Sequence, residues 1–280
     1  MHAFVINHTR FEQTYPQDYY PLLVGAVNRS PDMKEGVMTD DSGEQMSAFN
    51  DSYCELTGLY WMWKNCQDPV IGLLHYRRFF LEIRKKIAFR DDIYLKDPGD
   101  VSNCHLMTAA EAEAHLKKAD LIVKLSHTYH WNMRAKLLDC IAPQVLKDLE
   151  AALMETDPAE YERFEQYLKR HRQILFNMFI GKKAVIDRYC EWLFPILQKA
   201  DEKEIARSGE RYHHREIGYL GEILFTYWIE DRKIPFYAAD TLMPRKSPIS
   251  VVAGIRMKDG TNIYPSKALF PNIWKWLSRK

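Results

Sequence analysis

Unbroken apolar runs and helical apolar spacings alternate along this chain. Val70-Ile71-Gly72-Leu73-Leu74 is a near-continuous apolar run, and Asp120-Leu121-Ile122-Val123-Lys124-Leu125 is a second. Such runs predict strands covered on both faces. Residues 2–8 predict an opening strand with a polar exit, 176–180 a short strand and 234–238 a late one. Between them, Leu56, Leu59, Tyr60 and Trp63 follow helical spacing over 52–65, opened by a capping box of Ser52 and Glu55 and broken at Asp68-Pro69. A second capping box, Thr108 with Glu111, opens a helix to 118, and Asp157-Pro158-Ala159-Glu160 opens another. Further helices are predicted over 134–155, 184–199 and 215–230. Residues 30–50, centred on Asp40-Asp41-Ser42-Gly43, form a long polar loop, the kind of connection where function concentrates. The alternation predicts an α/β fold with a mixed, mainly parallel sheet flanked by helices. There is no internal repeat, low-complexity segment or linker, so one domain is expected.

Composition narrows the function classes. The 280 residues carry 39 Lys and Arg against 38 Asp and Glu, a net charge of +1, which argues against a nucleic-acid partner. With 46% hydrophobic and 13% aromatic residues the chain is not disordered. Five cysteines at 54, 66, 104, 140 and 190 form no CxxC pair, which disfavours a disulfide framework or a cysteine zinc site and points to a reducing cytoplasm. The N-terminal residues do not read as a signal peptide, and no apolar run approaches the ~18 residues of a membrane span. P-loop, GxGxxG, HExxH and GxSxG signatures are absent, and no spacing puts two of the ten histidines, His213-His214 included, on one helical face beside a carboxylate.

The most informative segment is His75-Tyr76-Arg77-Arg78, delivered by the Val70–Leu74 run. Ligands of open α/β sheets bind beyond the carboxyl ends of strands, and guanidiniums suit phosphate oxygens. The window 75–96 holds seven basic and three acidic residues, a net of +4. Read as extended backbone, it places Arg77 on the same side as His75, towards the phosphates, while Arg78 braces a loop. Near the C-terminus, residues 256–280 hold six basic residues and one acid among several aromatics, a pattern suited either to an anionic membrane surface or to a packed terminal helix.

Residues 50–65 and 71–80 (Asn50, then Tyr53-Cys54-Glu55-Leu56-Thr57-Gly58-Leu59-Tyr60-Trp61-Met62-Trp63-Lys64-Asn65, and Ile71-Gly72-Leu73-Leu74-His75-Tyr76-Arg77-Arg78-Phe79-Phe80) resemble a bacterial family. So do Asn177-Met178-Phe179-Ile180, Tyr189-Cys190-Glu191-Trp192-Leu193-Phe194 and Gly218-Tyr219-Leu220-Gly221-Glu222. The family comprises glycosyltransferases of capsular and exopolysaccharide clusters, long catalogued as a domain of unknown function. The resemblance spans about residues 3–240; Ile223 departs from it, standing where the family has an arginine. It implies a GT-A-like domain over 1–255, with 256–280 as a basic, aromatic extension. It also implies transfer of a hexosyl or galactofuranosyl group from a nucleotide sugar, most simply a UDP-sugar, to a lipid-linked surface polysaccharide. The setting would be cytoplasmic, with peripheral contact at the inner face of the cell membrane.

Within such a domain, position assigns the roles: His8, Thr9 and Arg10, after the first strand, contact the nucleotide, and Asp41, in the following loop, the base or ribose. His75, Arg77 and Arg78 hold the diphosphate, and Asn177 faces donor sugar or acceptor. Glu222 either deprotonates the acceptor hydroxyl or pairs structurally with a buried arginine. No D-x-D is present, so transfer without a metal cofactor is expected, with Mg²⁺ or Mn²⁺ held by Asp40-Asp41 or Asp91-Asp92 as the alternative. The rival function is a non-catalytic nucleotide- or carbohydrate-binding module of a polysaccharide assembly complex.

Overall fold

The computed structural model describes residues 1–9, 15–81, 92–95, 105–246, 255–256 and 262–265. Its strands are β1 (His2–Asn7), β2 (Tyr19–Leu23), β3 (Met38–Thr39), β4 (Val70–His75), β5 (Phe79–Leu81), β6 (Asp92–Leu95), β7 (Leu121–Lys124), β8 (His127–Thr128), β9 (Arg172–Gln173), β10 (Phe179–Lys182), β11 (Phe236–Lys246), β12 (Ile255–Arg256) and β13 (Asn262–Pro265). The helices are α1 (Pro31–Lys34), α2 (Asn50–Tyr53), α3 (Leu56–Asn65), α4 (Ala109–Leu116), α5 (Met133–Leu138), α6 (Pro143–Thr156), α7 (Pro158–Leu168), α8 (Lys183–Ser208) and α9 (Glu216–Asp231).

The main sheet has the order β12-β13-β6-β11-β7-β10-β4-β1-β2-β3, with β5 also on β11. Strands β3, β2, β1 and β4 run parallel, as do β7, β11 and β6, and β10 lies antiparallel between the two groups. The fold is the mixed, mainly parallel α/β sheet that the alternating pattern predicts. Its apolar runs are covered on both faces. Phe4, Ile6, Ile71, Leu73, Leu121 and Val123 pack into the layer built with α3 and α5–α9. Their neighbours Ala3, Val5, Leu74 and Ile122 pack with α4 and β5. The sheet continues across residue 255, because β13 pairs with β6 and β12 with β13.

Several boundaries differ from the sequence reading for identifiable reasons. The Thr108–Glu111 capping box and the Asp157 N-cap with Pro158 at N1 are present. The Ser52–Glu55 box is not. Cys54, at φ 50, separates α2 from α3, and the Glu55 side chain turns inward instead. Tertiary partners fix this elbow: Asn50 Nδ2 donates to the Cys54 carbonyl at 2.7 Å, and Thr57 Oγ1 donates to Asp40 at 2.7 Å. Asp40, fully buried, also accepts from the Gly25 and Ala26 backbone amides, so this loop carboxylate is a structural clasp. The predicted 134–155 helix divides into α5 and α6 because Pro143 starts the second. The predicted strand at 176–180 begins only at Phe179, since Phe176 and Asn177 take left-handed backbone. Helix α8 passes Pro195 and ends at Gly209, whose φ of 82 suits glycine.

Candidate active site

The parallel strands end on a cavity of about 580 Å³. His8 follows β1; His75 ends β4, and Tyr76 to Arg78 follow it. Strand β10 runs the other way, so the turn before it, Phe176-Asn177, reaches the same edge. Helices add Cys54 and Glu55 from the α2–α3 elbow, and Arg215, Tyr219 and Glu222 from the start of α9. This is the edge at which open α/β sheets place ligands.

Strained backbone concentrates here. Six non-glycine residues among those described have positive φ; Cys54, Phe176 and Arg215 line the cavity, and Asn177 and His214 are chain neighbours of the last two. A phenylalanine at φ 79 persists only where its surroundings over-determine it. His75 Nε2 donates to the Phe176 carbonyl at 2.6 Å, which fixes the histidine tautomer. The Phe176 backbone also bonds the Glu222 carboxylate, and the Arg78 guanidinium stacks 3.7 Å from the Phe176 ring centroid. The neighbouring Asn177 Nδ2 donates to Glu55 Oε1 at 2.9 Å, both side chains being buried.

Close packing explains the two glycines of α9. A Cβ at Gly218 would meet Cys54 Sγ at 3.2 Å; one at Gly221 would meet Leu56 Cδ1 at 2.7 Å and Asn177 Nδ2 at 3.3 Å. The small residues therefore seat α9 against the elbow, which brings Glu222 to the cavity.

The electrostatics are those of an anion site that also holds three carboxylates, Asp51, Glu55 and Glu222. Arg29, Arg77, Arg78 and Arg215 line the cavity. Arg29 Nε is buried without a hydrogen-bond partner. Burial, then Arg29, Arg77 and Arg215, lower the pKa of His8, and burial with Arg78 holds His75 down to about 3. Both imidazoles are therefore neutral at pH 7. Burial pushes the Glu55 carboxyl up, against Asn177 and the arginines. Burial and then the Glu55 charge push Glu222 up to about 7.

The sequence-predicted residues divide. His8, His75, Arg77, Arg78 and Glu222 line the cavity. Asn177 stands just behind it on Glu55, and Thr9 Oγ1 bonds the Asn7 side chain at 3.0 Å. Asp41 instead pairs with Lys34 at 2.6 Å and is not a lining residue. Arg10 and Asp91 lie outside the described residues. The extended reading of residues 75–78 is corrected: the Arg78 N–H donates to the His75 carbonyl at 2.9 Å, closing a tight turn. The turn leaves Arg77 exposed, its guanidinium over the Tyr76 ring, and puts the less exposed Arg78 against Phe176. Arg29 and Arg215 were not singled out from sequence as anion contacts, since each stands in a loop or cap far along the chain from the other. His213 faces Glu210 at 3.3 Å and Asp51 at 3.6 Å on the surface.

Among the described residues no three His, Cys, Asp or Glu side chains group as metal ligands, and the cavity carboxylates stand among guanidiniums.

Fold and site together define a doubly covered α/β domain with a cationic cavity at the strand ends. The chain belongs to the family described as the domain of unknown function DUF4422, which matches residues 2–233. A comparison with curated proteins finds no match. The fold is similar to that of WbbM, a bifunctional glycosyltransferase solved in its apo form, with a TM-score of 0.71 and 22% identity. That likeness covers 86% of this chain and 45% of the WbbM chain, so the protein spans less than half the length of that relative.

Proposed function

We propose that the protein is a glycosyltransferase that moves a sugar from a nucleotide-sugar donor to a saccharide acceptor. The observation that carries this reading is one cavity holding four guanidiniums beside a carboxylate whose pKa lies near 7. Arg29, Arg78 and Arg215, with Arg77 at the rim, neutralise the donor diphosphate as it departs. Glu222 takes the proton from the acceptor hydroxyl, whose oxygen bonds the anomeric carbon as the bond from that carbon to the phosphate oxygen breaks. Neutral His8 stands beside the nucleotide. His75 and Asn177 act one step back, holding the Phe176 turn and Glu55. Fixed arginine charge takes the place of a metal in this scheme. The likeness to WbbM in fold supports the transferase class. A hexosyl or galactofuranosyl donor, carried most simply on UDP, and a lipid-linked surface polysaccharide acceptor complete the proposal.

No helix among the described residues is long and apolar enough to cross a membrane. Contact with the inner membrane face is assigned to the 256–280 segment, most of which lies outside the described residues. Liposome binding that survives truncation after Ala253 in a folded protein removes that assignment.

The direct test is a thermal-shift panel of UDP, GDP and their sugar conjugates. Binding stabilises the fold by RT ln(1 + [L]/Kd) and so raises Tm, and loss of the shift in Arg78→Ala ties it to this cavity. No shift with any member refutes the donor site. Binding without transfer or slow donor hydrolysis favours the non-catalytic binding module.

A further inference from the structure

The cavity has a second group of lining residues unlike the arginines. Tyr129, Lys136 and Cys140 come from the segment between β8 and α6, and Tyr219 from α9. Lys136 Nζ lies 5.8 Å from the Tyr129 ring centroid and 3.3 Å from Cys140 Sγ. This segment is held at both ends. The Tyr129 N–H donates to the His171 carbonyl at 2.7 Å, and Asn132 caps α5 by accepting the Ala135 N–H at 2.9 Å. Between these anchors stands Trp131, 67% exposed, the most exposed large hydrophobic side chain among the described residues. It does not itself line the cavity, but stands two residues from Tyr129, which does, in the short loop before α5.

Glu222 connects this group to the chemistry. It lies on α9 three residues after Tyr219, hence on nearly the same helix face. Burial first, with the Glu222 charge adding to it against Lys136, raises the Tyr129 phenol pKa, which places the carboxylate within electrostatic reach of that ring. An acceptor must present its hydroxyl to Glu222 without entering the space that the arginines give to the diphosphate. The Tyr129–Lys136–Tyr219 group meets that requirement.

We propose that Tyr129, Trp131, Lys136 and Tyr219 form the acceptor subsite, and that its ligand is a saccharide stacked by its C–H face on Trp131 with ring hydroxyls towards Lys136 and Glu222. Sugars present an apolar face and a rim of donors and acceptors, matching an exposed indole on the loop that carries Tyr129 together with an ammonium and a carboxylate that line the cavity. The proposal rests on the transferase reading for the word acceptor; saccharide binding itself does not depend on it.

The test uses the full chain with saturating UDP and a panel of octyl glycosides, namely glucoside, galactoside, mannoside and N-acetylglucosaminide with their disaccharides. Binding is read by saturation-transfer NMR and by tryptophan emission. At least one glycoside should bind the wild type at millimolar concentration. Trp131→Ala should weaken it roughly five- to tenfold, and Trp131→Tyr should restore most of the affinity. Trp131 is exposed, so neither variant threatens folding, and the UDP thermal shift should stay at the wild-type value. Three results overturn the proposal: no glycoside binding, equal glycoside affinity in Trp131→Ala, or loss of the UDP shift in that variant, which would make Trp131 a nucleobase contact. Glycoside binding that depends on Trp131, without any nucleotide binding, refutes the transferase reading and leaves the saccharide site standing.

Discussion

Replacing Glu222 by glutamine should make the protein more stable and less active at once. Burial and the neighbouring Glu55 move the Glu222 pKa from an ordinary 4.5 to about 7, against the Phe176 backbone, Arg78 and Arg215. The folded value lies above the unfolded one, so the folded chain binds this proton more tightly. The resulting stability is present below pH 4.5 and is lost as pH rises to about 7. At pH 8 the ionised carboxylate then costs the fold an upper figure of roughly 3 kcal/mol, at ~1.4 kcal/mol per pH unit. Solvent at the cavity mouth reduces that to about 1–3 kcal/mol. Glutamine mimics the protonated acid and keeps an oxygen to accept from Phe176. Urea unfolding across a pH series should therefore show Glu222→Gln more stable by about 1–3 kcal/mol at pH 8, with the gap closing below pH 4.5. Turnover of the same variant should fall roughly 10²-fold or more, while nucleotide affinity holds. Wild-type transfer should decline as pH falls through about 7, where the base becomes protonated. A variant no more stable than wild type at pH 8 would refute the claim that the fold holds this carboxylate against its charge. Unchanged turnover in a folded variant would remove Glu222 as the base, leaving Glu55 as the carboxylate nearest the same arginines.

Three further outcomes are expected. Asn177→Gly keeps the left-handed turn but removes the 2.9 Å bond to Glu55, and should cost about 1–3 kcal/mol in urea unfolding; Asn177→Ala should cost about 1 kcal/mol more, because alanine resists positive φ, and equal costs would dismiss the backbone argument. Arg78→Ala should weaken UDP binding by roughly 10- to 100-fold in a thermal-shift titration and Arg77→Ala by less; the reverse order would restore the extended reading of residues 75–78. Transfer should persist in EDTA, and loss of activity restored by Mn²⁺ would show that carboxylates outside the described residues hold a metal.

Much of the architecture was legible because two-sided burial leaves a one-dimensional trace. The Val70–Leu74 and Asp120–Leu125 runs could only be covered strands, and their alternate residues do enter opposite layers. Local chemistry fixed the Thr108 and Asp157 helix starts for the same reason: the cap and its partner lie within three residues. The delivery of His75 to Arg78 at a strand end was likewise readable. Which arginine turns inward was not, since a single backbone bond from Arg78 to His75 converts the presumed extended segment into a turn.

The elbow at Cys54 shows where local rules fail. Ser52 and Glu55 satisfy a capping pattern, yet Glu55 is held by Asn177, 122 positions away, and Thr57 by Asp40 from another loop. The charge that Glu222 meets is likewise set by burial, Glu55 and Arg78, none of them its neighbours in the chain. Sequence alone determined the opening strand, the two covered central strands, the late strand, most of the helix starts and the basic strand end, because each depends on contacts a few residues apart. Only the tertiary structure decided which side chains share the cavity and in what protonation state, because those depend on low-dielectric surroundings assembled from segments more than a hundred residues apart.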